Sequence, residues 1–101
     1  EFMREKYRQR RDFIVGRFNE FGMDCFMPRG TFYAFPNIER FKKTSMETAK
    51  LILSEAKVAM VPGSAFGSSG EGYLRASFAT SYENIIKATD RIAKILPKLE
   101  G

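Results

Sequence analysis

The chain has 101 residues, 44% hydrophobic and 14% aromatic, which supplies one core of ordinary size and excludes both a disordered tract and a second domain. It contains no histidine, so nucleophilic arrangements built on imidazole and most catalytic zinc sites are excluded. A formal net charge of +5 raises nucleic acid or an anionic membrane surface as partners, and the location of that charge decides between them and a solvated face.

Glu1 and Phe2, ahead of Met3, read as a cloning remnant and carry no fold argument. From Met3 to Phe21 the apolar residues Met3, Tyr7, Ile14, Phe18 and Phe21 recur at helical spacing, and Gly22 fits the position just past a helix end. Arg4, Lys6, Arg8, Arg10, Arg11 and Arg17 concentrate positive charge here, but they lie on several faces and are mixed with Glu5, Asp12 and Glu20. A solvated or interdomain surface explains that mixture better than a nucleic-acid stripe. Met23 to Met27, a turn at Pro28-Arg29-Gly30, and Thr31 to Phe35 read as two strands joined by a short connection, with Pro28 and Pro36 bracketing the second. That second strand carries Phe32 and Ala34 on one face and Thr31, Tyr33 and Phe35 on the other. Aromatic side chains on both faces imply that both are covered, one by this chain's helices and one by a surface the chain does not supply. The single cysteine, Cys25, has no partner for an internal disulfide and reads as a small buried apolar residue.

Asn37 to Lys43 reads as an irregular or short helical connection. Thr44 and Glu47 then form a capping box that opens a helix with Met46, Ala49, Ile52, Leu53 and Ala56 on one side. Val58 to Val61 is a short strand that Pro62 ends. Next, Gly63, Gly67, Gly70 and Gly72 place four of the chain's eight glycines in one loop. The loop leads into a run of strict alternation, with Leu74, Ala76 and Phe78 on one face and Tyr73, Arg75 and Ser77 on the other. Thr80 and Glu83 suggest a second capping box, followed by Ile85, Ile86, Thr89, Ile92, Ala93 and Leu96 until Pro97 stops the helix. This order predicts a single α+β domain over residues 1–101. Its expected form is a two-layer sandwich in which a small mixed or antiparallel sheet of about four strands is covered by three main helices. No apolar run approaches the roughly 20 residues of a membrane helix and no signal peptide is recognised, so the expected location is cytoplasmic.

The glycine loop lacks the Gly-Lys-Ser/Thr ending of a P-loop and leads into a strand rather than a helix, which argues against a nucleotide-phosphate cradle. It remains either a tight connection or a segment that touches a ligand. Arg75 follows it on a rigid strand, directed away from the apolar face. A planar guanidinium in that position suits a carboxylate, which it can grip with two parallel hydrogen bonds. An ordinary strand arginine paired to a nearby glutamate is the other reading, and Glu71 is close enough in sequence to serve.

Three stretches, in this order, carry a family resemblance: Tyr7 with Arg10-Arg11-Asp12; Pro28-Arg29-Gly30-Thr31-Phe32-Tyr33-Ala34-Phe35-Pro36; and Pro62-Gly63-Ser64-Ala65-Phe66-Gly67 with Gly70-Glu71-Gly72-Tyr73-Leu74-Arg75-Ala76-Ser77-Phe78-Ala79. Together they resemble the C-terminal small domain of class I/II, fold-type I, pyridoxal-phosphate-dependent aminotransferases of the aspartate aminotransferase type, over nearly the whole chain. The resemblance implies a homodimeric parent enzyme that moves an amino group between an L-amino acid and a 2-oxo acid. It implies that Arg75 binds the substrate α-carboxylate and that Phe32 approaches the substrate end of the pocket, a position that a core aromatic explains equally well. Pyridoxal phosphate would belong to a large domain that is not in this chain. The Schiff-base lysine of the family sits in a Ser-x-x-Lys-type segment well upstream, and none of Lys6, Lys42, Lys43, Lys50, Lys57, Lys87, Lys94 and Lys98 has those surroundings. Catalytic, cofactor-binding and metal-binding residues are therefore not expected here, and the chain alone is expected to be inactive. Nucleic acid and membrane are not expected partners. Two further readings are a stand-alone module that holds a small anion or peptide through Arg75, and a basic RNA-binding domain. The second is disfavoured by the mixed charge and the lack of an RNP-like aromatic stretch.

Overall fold

The computed structural model describes residues 2–28 and 30–101. Glu1 of the cloning-remnant reading, Arg29 at the centre of the predicted turn, and the side chain of Met3 in the first apolar stripe lie outside the described residues. Helix α1 spans Phe2–Glu20 and closes, as its spacing predicts, at Gly22, where φ is +79°. Only a residue that tolerates the left-handed region reverses the chain there cheaply. Strand β1 (Cys25–Phe26) and strand β2 (Tyr33–Pro36) follow, then a single 3-10 turn at Glu39–Phe41. Helix α2 spans Ser45–Ala56, strand β3 Val61–Pro62, strand β4 Leu74–Ser77, and helix α3 Tyr82–Glu100. Two 3-10 turns, Gly63–Phe66 and Ser68–Gly70, build the loop between β3 and β4.

The four strands form one sheet in the order β1-β2-β4-β3, with every neighbour antiparallel. The α+β expectation is met, and the open choice between mixed and antiparallel falls to antiparallel. One face of the sheet is buried under the helices. Ala34, Leu74 and Phe78 are inaccessible there and pack with Ile14 and Phe18 of α1, Ile52 of α2, and Ile85, Ile92 and Leu99 of α3.

The strands are shorter than the sequence suggests, and each proline expected to end a strand is itself the last residue of one, Pro36 of β2 and Pro62 of β3. Pro36 pairs with Cys25, and the ladder continues through Asn37, whose N–H donates to the Asp24 carbonyl at 2.7 Å. A proline withholds one donor, and the next residue supplies it. β3 begins only at Val61; Val58 and Met60 pack against the core without joining the ladder. The face of α2 is also turned from the predicted one. Met46 and Leu53 are exposed at 46% and 52%, whereas Ser45 and Thr48 are buried beside Ala49, Ile52 and Ala56. The predicted box at Thr80 and Glu83 is displaced by one residue, because Ser81 is the N-cap and its hydroxyl accepts from the Asn84 N–H at 3.1 Å. Pro97 does not stop α3. The last turn is fastened from outside: the Lys43 ammonium donates to the Leu99 carbonyl at 2.7 Å, Arg40 pairs with Glu100 at 2.8 Å, and the Leu99 side chain is fully buried.

Candidate functional site

The alternation of β4 divides its residues between two environments. Leu74, Ala76 and Phe78 enter the core, while Tyr73 and Arg75 are half-buried on the opposite face and Ser77 is exposed. Tyr33 pairs with Ser77, Ala34 with Ala76 and Asn37 with Tyr73, a register that sets Phe35 opposite Arg75. This outer face of the sheet is aromatic. Phe26 stacks on Phe35 at 5.1 Å, Tyr73 meets Phe26 edge-on at 5.5 Å, and Phe66 from the glycine loop meets Phe35 edge-on at 5.9 Å.

The Arg75 guanidinium lies among these rings. Its central carbon is 4.4 Å from the centroid of Tyr33 and 5.0 Å from that of Phe66. Cation–π contact of this kind uses the positive charge without consuming an N–H donor, so the guanidinium can still donate to an anion. Among the described residues no carboxylate pairs with Arg75. What the arrangement can do chemically is therefore to hold a planar anion by its edge beside an apolar surface.

Glu71, the alternative partner for Arg75, is engaged elsewhere. Its carboxylate accepts from the backbone N–H of Ser45 at 2.7 Å and from the Ser45 hydroxyl at 2.9 Å, and that hydroxyl in turn accepts from the Ser64 N–H at 3.2 Å. The Ser45 backbone N–H, then its hydroxyl, hold the Glu71 pKa below the ordinary carboxylate value. Ser45, at the start of α2, thus ties both ends of the glycine loop, one through Glu71 and the other through Ser64. Inside the loop the Gly63 N–H donates to the Tyr73 carbonyl at 2.8 Å, and the Tyr73 N–H donates to the Gly70 carbonyl at 3.1 Å. Gly63 and Gly70 approach so closely that a Cβ on either would overlap the other's carbonyl oxygen.

The structure does not bring Phe32 to Arg75. Its ring, 42% exposed, meets Tyr7 edge-on at 5.2 Å and Phe78 at 5.6 Å, near Arg10 and Thr80. Tyr7 also donates its hydroxyl to the Thr31 carbonyl at 2.7 Å and its ring lies 5.5 Å from that of Phe78, so all three resembling stretches meet there. Sequence reasoning did not single out Tyr33 and Phe66 as companions of Arg75. The outward alternation of β2 pointed to Tyr33; nothing in a glycine-rich loop pointed to Phe66. Cys25 is partly buried, and desolvation pushes its thiol up to about 11, with a backbone hydrogen bond from Phe35 acting the other way. Lys43 is half-buried and the other lysines are exposed, so the described side chains offer no enclosed amine for a cofactor aldehyde. Among the described residues there is no cluster of metal-ligand side chains, and no helix is long and apolar enough to cross a membrane.

The family model for aminotransferase class I and II matches residues 1–92. The chain belongs to that family. It is 51% identical over 96 residues to an aspartate aminotransferase of Pyrococcus abyssi, covering 95% of this chain and 25% of that protein. To aromatic-amino-acid aminotransferase 2 of Thermococcus litoralis it is 48% identical over 96 residues, with the same coverage of 95% and 25%. The crystal structure of an aromatic aminotransferase from Pyrococcus horikoshii superposes with a TM-score of 0.91 at 46% identity, over 97% of this chain and 26% of that one. The chain thus spans about a quarter of the length of the curated relatives it matches.

Proposed function

We propose that residues 1–101 form one domain, the C-terminal small domain of a pyridoxal-phosphate-dependent aminotransferase, and that Arg75 binds the α-carboxylate of its amino-acid or 2-oxo-acid substrate. One observation carries the reading: a guanidinium on a rigid strand, with two aromatic rings beside it and, among the described residues, no carboxylate paired with it. Held so, it would orient the substrate by its carboxylate plane, and orientation of this kind contributes to rate by removing freedom before the reaction. Phe32 takes a weaker part, its exposed ring being free to meet the substrate once the parent supplies the rest of the pocket. In this reading the parent is a cytoplasmic homodimer, with neither nucleic acid nor a membrane as partner. When bound, pyridoxal phosphate supplies an electron sink for the substrate carbon. Among the described residues no enclosed amine suits its aldehyde, which supports assigning it to the remainder of the parent.

Arg75→Lys in the full-length parent tests the assignment. Lysine keeps the charge but not the fork, and losing the two-bond geometry costs on the order of 2–4 kcal/mol in kcat/KM, about 30- to 1000-fold. Steady-state kinetics should show that loss for amino acids and little change for amines without an α-carboxylate. An equal loss for both would remove the role assigned to Arg75. The parent gene tests the placement: a Ser-x-x-Lys-type segment upstream of this chain supports it, and the same segment downstream overturns it.

A further inference from the structure

We infer that Tyr33 and Phe66 are positioning residues for Arg75, and that the Gly63–Gly70 contact exists to set Phe66 in place. The inference rests on the substrate-carboxylate role proposed for Arg75. Arginine has a long flexible stem, and a guanidinium that must present one edge to a ligand gains from being held before the ligand arrives. The outer face of the sheet holds it from two directions. Tyr33 lies diagonally across the β2–β4 pair, because its direct partner is Ser77, and this puts its ring 4.4 Å from the guanidinium carbon. Phe66 arrives from the loop, 5.0 Å from the same carbon.

Phe66 is itself braced. Its ring stands edge-on to Phe35, which stacks on Phe26, which in turn meets Tyr73. The backbone that carries Phe66 is pinched between Gly63 and Gly70, and the loop is tied to α2 through Glu71, Ser45 and Ser64. A wider loop would carry Phe66 away from the arginine. Tyr33 and Phe66 are 40% exposed each, so the core gains little from them, and their common neighbour is Arg75.

The test uses the full-length parent loaded with its cofactor. Phe66→Leu and Tyr33→Leu should each raise KM for amino-acid substrates about 3- to 30-fold, the range that a cation–π contact supplies, with a smaller change in kcat. Amines without an α-carboxylate should be unaffected. Phe66→Tyr and Tyr33→Phe should restore wild-type values, since each keeps a ring face. In an Arg75→Ala background the leucine variants should add nothing, because the ring contacts have lost their object. If Arg75→Ala impairs amino acids selectively while the leucine variants do not, the positioning role is overturned and the carboxylate assignment stands. If Arg75→Ala impairs both kinds of substrate alike, both are overturned. Should Tyr33→Leu not fold, Phe66→Leu in the surface loop carries the test alone, and full activity of that variant on amino acids overturns the inference.

Discussion

At the scale of single residues, Arg75 faces outward because the alternation of β4 commits Leu74, Ala76 and Phe78 to the core. The Glu71 carboxylate reaches Ser45, 26 positions away, a contact of a range that no local pattern announces. The same holds for Phe66, whose position depends on a loop closure fixed by backbone contact between two glycines. Glu71 also carries a pH dependence with a definite sign. Its folded pKa lies below the unfolded value of 4.5, so its contribution to stability is present in full above that value and is lost as pH falls through the folded pKa. Thermal melts of the wild type and Glu71→Gln between about pH 3 and 7 should show the variant less stable near neutrality and the two curves converging in acid. A gap that persists unchanged at the acid end would mean that packing, not the charge, is what the substitution removes.

At the scale of elements, the local signals at Thr44 and Gly22 were read correctly, whereas the cap of α3 and the end of α3, which depends on contacts from outside the element, were not. The capping box at Thr44 is present in both directions, with the Thr44 hydroxyl accepting from the Glu47 N–H and the Glu47 carboxylate accepting from the Thr44 N–H. The α1 stop at Gly22 is equally local. Pro97 is the contrary case, since a helix stop was expected and the buried Leu99 together with the contacts from Lys43 and Arg40 holds the following turn in place. At the start of α3 the expected cap was Thr80, and the structure uses the neighbouring hydroxyl of Ser81 instead. Ser81 accepts from the backbone N–H of Asn84, whereas Thr80 accepts only from the Asn84 side-chain amide. Ser81→Ala should therefore cost ~1 kcal/mol, as removal of an N-cap does. Thr80→Ala should cost a few tenths at most (~0.3 kcal/mol), since an exposed side-chain hydrogen bond is largely replaced by water. Chemical denaturation of the two variants checks the order, and a larger loss at Thr80 would restore the predicted box.

At the scale of the whole molecule, the chain has one buried face of sheet, three helices packed on it, and an outer aromatic face with no cover of its own. Aromatic residues on both faces of the predicted strand Thr31 to Phe35 already implied that a second surface was wanted, and rings as exposed as Phe26 at 53% and Phe66 at 40% agree. Folding and catalysis should consequently separate. The core closes within these residues and the Cα radius of gyration of 13.0 Å matches the value of about 13 Å for a compact domain of 100 residues. Residues 1–101 alone should then give a single cooperative thermal transition by circular dichroism. The same preparation should show no transamination. Incubated with pyridoxal phosphate and reduced with borohydride, it should carry substoichiometric label spread over several lysines. An amine becomes a selective imine-forming nucleophile when desolvation lowers its pKa, and Lys6, Lys42, Lys50, Lys57, Lys87, Lys94 and Lys98 are all exposed. Lys43 is half-buried, but its ammonium is already occupied with the Leu99 carbonyl at 2.7 Å. Mass mapping of the reduced adducts decides the point. One lysine labelled to completion, with measurable turnover, would mean that these residues hold their own catalytic amine, and the proposed assignment of the cofactor to the rest of a parent would be withdrawn.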